Sequence, residues 1–66
     1  MQLTVNGSSR DVQDGTTLSE LVVQLGLKIG AVVVEHNGTA LLRSEVFTTA
    51  LTDGDRLELV QAVAGG

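Results

Sequence analysis

The chain has 66 residues, with four Lys or Arg against eight Asp or Glu, so its formal net charge is −4 at pH 7. A chain of this length forms one domain at most and has too little interior for a deep active site. Its acidic balance argues against a nucleic-acid partner. Because it contains no Cys, disulfides, a thiolate nucleophile and Cys-ligated zinc are excluded. We expect a small domain on which partner proteins perform any chemistry.

The first residues, MQLTVNG, have neither the basic start nor the apolar run of a secretory signal peptide. No segment approaches the roughly 20 apolar residues of a membrane-spanning helix. We therefore expect a cytoplasmic protein with no membrane partner.

A β-hairpin is predicted at the start of the chain. Leu3 and Val5 alternate with polar residues, the dipeptide Asn6-Gly7 is typical of a tight hairpin turn, and a short polar run containing Val12 follows.

An amphipathic helix follows the hairpin. Thr17 and Glu20 have the spacing of a capping box, in which each side chain satisfies a backbone amide of the other residue. Gly26 is placed to end the helix in a left-handed conformation. Apolar residues at helical spacing form one stripe, made of Leu18, Leu21, Val22 and Leu25.

Three further strands are predicted. Val32 and Val34 face the core from a strand over residues 31–35, and Leu57 and Leu59 do so from the last strand. Between them, the pattern predicts a short strand at 40–42, an irregular connection over 43–52, a turn at 53–55 and the last strand at 56–60.

The predicted order places one helix on one face of a mixed sheet of four to five strands, which is an α+β fold. If the first and last strands are parallel neighbours, the helix lies in the crossover between them. The domain then spans residues 1–60, and residues 61–66 form an extended, flexible tail. We predict a core that includes Leu21, Leu25, Val32, Leu57 and Leu59.

The sequence ends on AVAGG, which is uncharged apart from the expected α-carboxylate of Gly66. Glycine suits a narrow channel because it has no Cβ, so Gly65, with Ala64 and Val63 before it, is the expected recognition segment. A carboxylate reacts with a nucleophile only after activation, and ATP achieves this by forming an acyl-adenylate. The phosphate-loop pattern GxxxxGK[ST] is absent, so another protein would activate Gly66. An ordinary frayed terminus is the alternative.

Residues 37–60, NGTALLRSEVFTTALTDGDRLELV, followed by QAVAGG, resemble the sulfur-carrier proteins of thiamine thiazole synthesis, the ThiS family. The resemblance covers essentially the whole chain. Its most specific parts are Arg43-Ser44-Glu45, Asp53-Gly54-Asp55 and Gly65-Gly66.

The resemblance implies a ubiquitin-like β-grasp fold and a carrier without its own catalytic site. A ThiF-type enzyme adenylates the residue that matches Gly66, using ATP and Mg²⁺. A sulfur donor such as a cysteine desulfurase then replaces AMP and leaves a thiocarboxylate. The sulfur passes to a ThiG-type thiazole synthase, so the carrier itself binds neither cofactor nor metal.

Some features depart from the family pattern and leave further functions open. Leu42 stands where a Pro is often found, and Val46 where an aromatic residue is often found, with Phe47 one place later. Molybdopterin-synthase small subunits share the fold and terminus, but they carry an aromatic-Pro-Pro run and this chain has no Pro. The role of a ubiquitin-like protein modifier and that of a plain interaction domain also stay open.

Four further residues receive structural interpretations. His36 is expected at a strand end on the surface, with no catalytic or metal role. Asp53 and Asp55 are expected as turn residues, because the distal ligand of a calcium loop is missing. Phe47, the single aromatic residue, is expected in the core, with a partner-contact patch as the alternative.

The sheet face away from the helix is a candidate surface for docking an activating enzyme, with a solvated face as the alternative. The residues expected there are Val33, Glu35, Arg56, Glu58 and Val60.

Overall fold

The computed structural model describes residues 1–61, and Val63, Ala64, Gly65 and Gly66 lie outside the described residues. Its elements, in chain order, are β1 (Gln2–Val5), β2 (Ser8–Asp11), α1 (Leu18–Gln24), a 3₁₀ helix (Ile29–Ala31), β3 (Val32–His36), β4 (Thr39–Ala40), α2 (Arg43–Val46) and β5 (Arg56–Gln61).

The strands form one five-stranded mixed sheet in the order β2-β1-β5-β3-β4. β1 and β5 are parallel neighbours, and every other pair is antiparallel. α1 lies in the connection between the parallel strands, as parallel pairing requires. This is the β-grasp arrangement, and it confirms the predicted α+β class and the mixed sheet.

Both Asn-Gly dipeptides form the hairpin turns that their sequence predicts. Asn6 and Gly7 have φ values of 51° and 81°, and Asn37 and Gly38 have values of 50° and 85°. Positive φ at both central residues is the requirement of the two-residue turns that match strand twist, and Asn and Gly adopt it at low cost. The first turn joins β1 to β2 and the second joins β3 to β4.

The predicted capping box begins α1. Thr17 Oγ1 accepts a hydrogen bond from the Glu20 amide at 3.2 Å, and Glu20 Oε1 accepts one from the Thr17 amide at 3.0 Å. Gly26 follows the helix with φ of 77°, as predicted for a left-handed stop. Within α1, the residues Leu18, Leu21 and Val22 of the predicted apolar stripe are buried.

The core lies between α1 and the sheet. Of the five predicted core residues, Leu21, Leu57 and Leu59 are buried, while Leu25 and Val32 are half-buried and pack against the core from its edge. Within residues 1–61, the buried apolar residues are Leu3, Val5, Leu18, Leu21, Val22, Val34, Val46, Leu51, Leu57 and Leu59.

The segment after β4 differs from the sequence prediction. Residues 43–46 form a helical turn, where an irregular connection was predicted. At the start of this turn, Glu45 Oε1 accepts a hydrogen bond from the Leu42 amide at 2.7 Å. The turn directs Val46 into the core and leaves Phe47 60% exposed. The core position predicted for Phe47 is therefore wrong, because Val46, the preceding residue, packs into the core instead.

Strand boundaries differ from the predictions by small shifts. β4 covers residues 39–40, so it begins one residue and ends two residues earlier than predicted, and β5 extends to Gln61, which pairs with Val32 of β3. The strand therefore includes one residue that the sequence analysis assigned to the tail. None of the helices within residues 1–61 is long and apolar enough to cross a membrane.

Candidate functional site

The strand that leads to the predicted modification site is the central one of the sheet. β5 lies between β1 and β3 and carries the chain to Gln61. Leu57 and Leu59 anchor it through the core, with 1% and 5% of their surface exposed. The AVAGG segment, residues 62–66, follows this strand in the sequence and lies outside the described residues.

The structure brings all five residues of the predicted docking face onto exposed positions of β3 and β5. Val33 lies directly opposite Val60, and Glu35 lies directly opposite Glu58. Because alternate side chains of a strand point to opposite faces, these pairs stand on the sheet face that α1 does not cover. We name this set, Val33, Glu35, Arg56, Glu58 and Val60, the open sheet face.

Like charges stand next to the apolar pair of the open sheet face. Glu35 and Glu58 occupy opposite positions of an antiparallel ladder, whose directly opposed Cβ atoms are about 5 Å apart. Within residues 1–61, neither carboxylate forms an ion pair. Directly opposed like charges destabilise a sheet, so a cation placed beside this pair would be favourable.

A buried polar cluster, which the sequence analysis missed, joins the β3–β4 turn to the start of β5. Asp55 is 7% exposed. Its Oδ1 accepts hydrogen bonds from Asn37 Nδ2 at 3.1 Å and Thr52 Oγ1 at 2.9 Å. Its Oδ2 accepts bonds from His36 Nε2 and from the Thr52 amide, both at 2.9 Å. Asp55 is thus both a turn residue, as predicted, and the centre of this cluster.

The cluster determines the ionisation of Asp55. Burial opposes ionisation of this carboxyl group, but the hydrogen bonds that it accepts, first from His36, outweigh burial and hold its pKa well below the usual range. A carboxylate that accepts several hydrogen bonds is stabilised in its charged form. His36 is half-buried rather than on the open surface, and its contact with Asp55 is structural.

Asn6 makes a second contact that the sequence analysis missed. Its side-chain Oδ1 accepts a hydrogen bond from the Leu59 amide at 2.8 Å, and its Nδ2 donates to the Leu59 carbonyl at 3.1 Å. The dipeptide Asn6-Gly7 predicts a turn but carries no signal for a partner at the other end of the chain. The side chain therefore links the first hairpin to the strand that precedes the AVAGG segment.

The helical side of the molecule has a shallow apolar groove of about 400 Å³. Its exposed members include Val23 on α1 and Phe47 after α2, with 63% and 60% of their surfaces exposed. The full lining is Ser19, Glu20, Val23, Gln24, Ile29 and Phe47.

The chain is similar to proteins of one family over almost its full length. The ThiS family profile matches residues 3–66. The sulfur carrier protein ThiS of Thermus thermophilus is 37% identical over 62 residues, which are 94% of this chain and 95% of that protein. The crystal structure of the thiamine biosynthesis protein ThiS from Geobacter metallireducens superposes with a TM-score of 0.80 and 37% identity, covering 100% of both chains.

Longer proteins also contain a similar segment. The thiazole synthase of Paramagnetospirillum magneticum is 35% identical over all 66 residues of this chain, and the chain spans only 20% of the length of that protein. The thiazole synthase of Magnetococcus marinus is 32% identical with the same coverage. The match to the family profile, and to a relative of nearly the same length, shows that this chain belongs to the ThiS family.

Proposed function

We propose that the chain is a sulfur carrier of thiamine thiazole biosynthesis and that Gly66 is the residue that carries the sulfur. The observation that carries this proposal is the near end-to-end match to the sulfur carrier protein ThiS of Thermus thermophilus, which spans 95% of that protein. The ThiS family profile extends through residue 66, so the Gly65-Gly66 pair lies within the region that the family shares.

The proposed chemistry begins with activation of the carboxylate. An oxygen of Gly66 attacks the α-phosphorus of ATP, pyrophosphate leaves, and a mixed anhydride with AMP forms; Mg²⁺ belongs to the activating enzyme. Sulfur from the donor then attacks the acyl carbon and AMP leaves with the bonding electrons. Where the donor is a persulfide, the product is an acyl disulfide, and a thiol reduces it to the thiocarboxylate while forming a disulfide with the donor.

We propose a ThiF-type adenylyltransferase, a cysteine desulfurase or similar donor, and a ThiG-type thiazole synthase as the partners. The last is supported by the two thiazole synthases that contain a segment similar to the whole of this chain. In this scheme the chain is a cytoplasmic cosubstrate, and the catalytic groups belong to its partners.

We propose that the open sheet face docks the activating enzyme. The apolar pair Val33 and Val60 offers area to bury, and the adjacent Glu35 and Glu58 favour a basic side chain on the partner. Arg56 borders this acidic pair on the same strand face. Electrostatic complementarity of this kind raises the rate of association, and that contribution falls as salt rises.

Pyrophosphate exchange with a purified ThiF-type enzyme tests the role of Gly66. We expect exchange with the unmodified chain, and no exchange after deletion of Gly66 or after Gly65→Val, which places a β-branched side chain where the backbone must pass closely. Both variants should keep their thermal stability, since every buried apolar residue of the part that the structure describes lies between Leu3 and Leu59.

The intact mass of the protein from its native cells is the complementary measurement. A sulfur-for-oxygen exchange that maps to Gly66 supports the carrier role. Normal activation of the truncated chain, or activation only by the enzyme of molybdenum-cofactor synthesis, would refute the thiamine assignment.

A matched pair of valines tests the docking face. Val60 and Val23 are 60% and 63% exposed, but they stand on opposite sides of the molecule. We expect Val60→Ser to raise KM for activation, because it removes apolar contact area, and Val23→Ser to leave KM unchanged. Equal KM values for the two variants would exclude the open sheet face as the docking surface.

A further inference from the structure

We infer that Asn6 is a positioning residue of the proposed carrier: its side chain holds the last part of β5, the strand from which the chain continues towards Gly66. This inference rests on the function proposed above and concerns how Gly66 is presented to the activating enzyme. It follows from the unequal support that the two neighbouring strands give to β5.

The parallel neighbour of β5 is short. β1 pairs with β5 only at Thr4 with Arg56 and at Val5 with Leu57. After Val5 the chain turns away through Asn6, whose backbone has φ of 51°. On the other side, the pairing with β3 continues to the end of β5, where Val32 lies opposite Gln61.

The side chain of Asn6 continues the β1 ladder where the backbone leaves it. Its backbone amide donates to the Leu57 carbonyl at 2.9 Å. Its side-chain amide group then accepts from the Leu59 amide at 2.8 Å and donates to the Leu59 carbonyl at 3.1 Å. A primary amide has the donor and acceptor of a peptide unit, so Asn6 replaces the next strand residue.

This contact lies two residues before Gln61, the last described residue of β5. With Asn6 in place, β5 is held from both sides as far as Leu59. Without it, the β1 side of β5 would be held only as far as Leu57, and Leu59 would lose both side-chain hydrogen bonds on that side. The activating enzyme would then have to order the end of β5 when it binds the chain, which costs conformational entropy.

Asn37 provides a matched control. It occupies the same position of an Asn-Gly turn, with φ of 50°, and its Oδ1 accepts a hydrogen bond from the Arg56 amide at 2.8 Å. It therefore also holds the backbone of β5, but at the beginning of that strand. Because it additionally donates to Asp55, its loss should destabilise the domain at least as much as loss of Asn6.

Glycine is the appropriate replacement at both positions. Gly adopts positive φ without strain and keeps a favourable Gly-Gly hairpin turn. Asn6→Gly and Asn37→Gly therefore remove the side-chain contact to β5 and preserve the turn. Pyrophosphate exchange would be measured below the unfolding temperatures of both variants, so that the folded protein is compared in each case.

We expect Asn6→Gly to raise KM for activation about tenfold, equivalent to about 1.4 kcal/mol, with kcat unchanged. This split is the sign of weaker binding without a change in the chemical step. Asn37→Gly should leave KM within about twofold of the unmodified chain. Hydrogen exchange at the Leu59 amide should quicken in Asn6→Gly more than in Asn37→Gly, relative to the global stability of each variant.

The outcomes separate this inference from the proposed function. No activation of the unmodified chain would refute the carrier role. Activation with equal KM for both variants, or equal protection of the Leu59 amide, would refute the positioning role of Asn6 while leaving the carrier role intact.

Discussion

Replacing Asp55 by Asn is expected to destabilise the folded chain by about 2–4 kcal/mol at neutral pH. The carboxylate accepts two hydrogen bonds on each oxygen, and Asn keeps only one acceptor oxygen. The Thr52 hydroxyl can rotate and His36 can present an unprotonated nitrogen, so these two partners can adapt to an amide NH₂ group.

The other two partners cannot adapt. The Thr52 amide is a fixed donor on Oδ2, and Asn37 Nδ2 is a fixed donor on Oδ1, because Asn37 Oδ1 already accepts from the Arg56 amide. Whichever way the new amide is oriented, one of these donors faces another donor. A buried unpaired donor costs about 1–3 kcal/mol, and loss of the charge-assisted bonds adds to it.

The expected loss depends on pH. The hydrogen bonds that Asp55 accepts lower its pKa in the folded state. A group with a depressed folded pKa contributes stability above its unfolded pKa, about 3.9 for Asp, and that contribution disappears as pH falls towards the folded value. The stability difference between the unmodified chain and Asp55→Asn should therefore be full above about pH 5 and shrink below about pH 4.

Urea unfolding of both proteins at neutral and at acid pH measures this difference. Asp53→Asn is the matched control: Asp53 lies across Gly54, is exposed, and accepts a single hydrogen bond from the Gln2 amide. We expect that variant to lose less than about 1 kcal/mol. A stability difference for Asp55→Asn that stays constant from neutral to acid pH would show that the carboxylate charge does not act as argued.

Three further predictions concern capping and packing. Thr17→Ala should lower the free energy of unfolding by about 1 kcal/mol through loss of the N-cap, and an unchanged urea midpoint would contradict this. Leu57→Ala should cost about 2–5 kcal/mol because this side chain is 1% exposed; thermal unfolding measures it, and a loss below about 1 kcal/mol would be inconsistent with its burial. Val46→Ala should cost about 2 kcal/mol and Phe47→Ala less than about 0.5 kcal/mol; the reverse order in urea unfolding would place Phe47 in the core.

Signals within a few residues of each other predicted most of the fold. Asn6-Gly7 specifies a turn by itself because both residues adopt positive φ readily. Thr17 and Glu20 satisfy each other's amides across one helical turn, and the apolar spacing from Leu18 onwards follows the helical repeat. The alternation in β5 likewise determined which of its residues face the core.

The candidate modification site was also predicted from the sequence alone. Two arguments identify Gly65 and Gly66: their chemistry and the resemblance of the whole chain to a family. Neither argument depends on the structure of the sheet. The role of Gly66 as the reactive residue remains a prediction.

Tertiary structure decided what depends on residues distant in the chain. Val46 and Phe47 are adjacent apolar residues, and only the space left beside the core determined that Val46 is buried and Phe47 exposed. The Asp55 cluster and the contact of Asn6 with Leu59 each require two strands to become neighbours in the sheet. Turn and capping signals act through local backbone geometry, whereas a side chain that completes another strand's hydrogen bonds finds its partner only after the sheet has assembled.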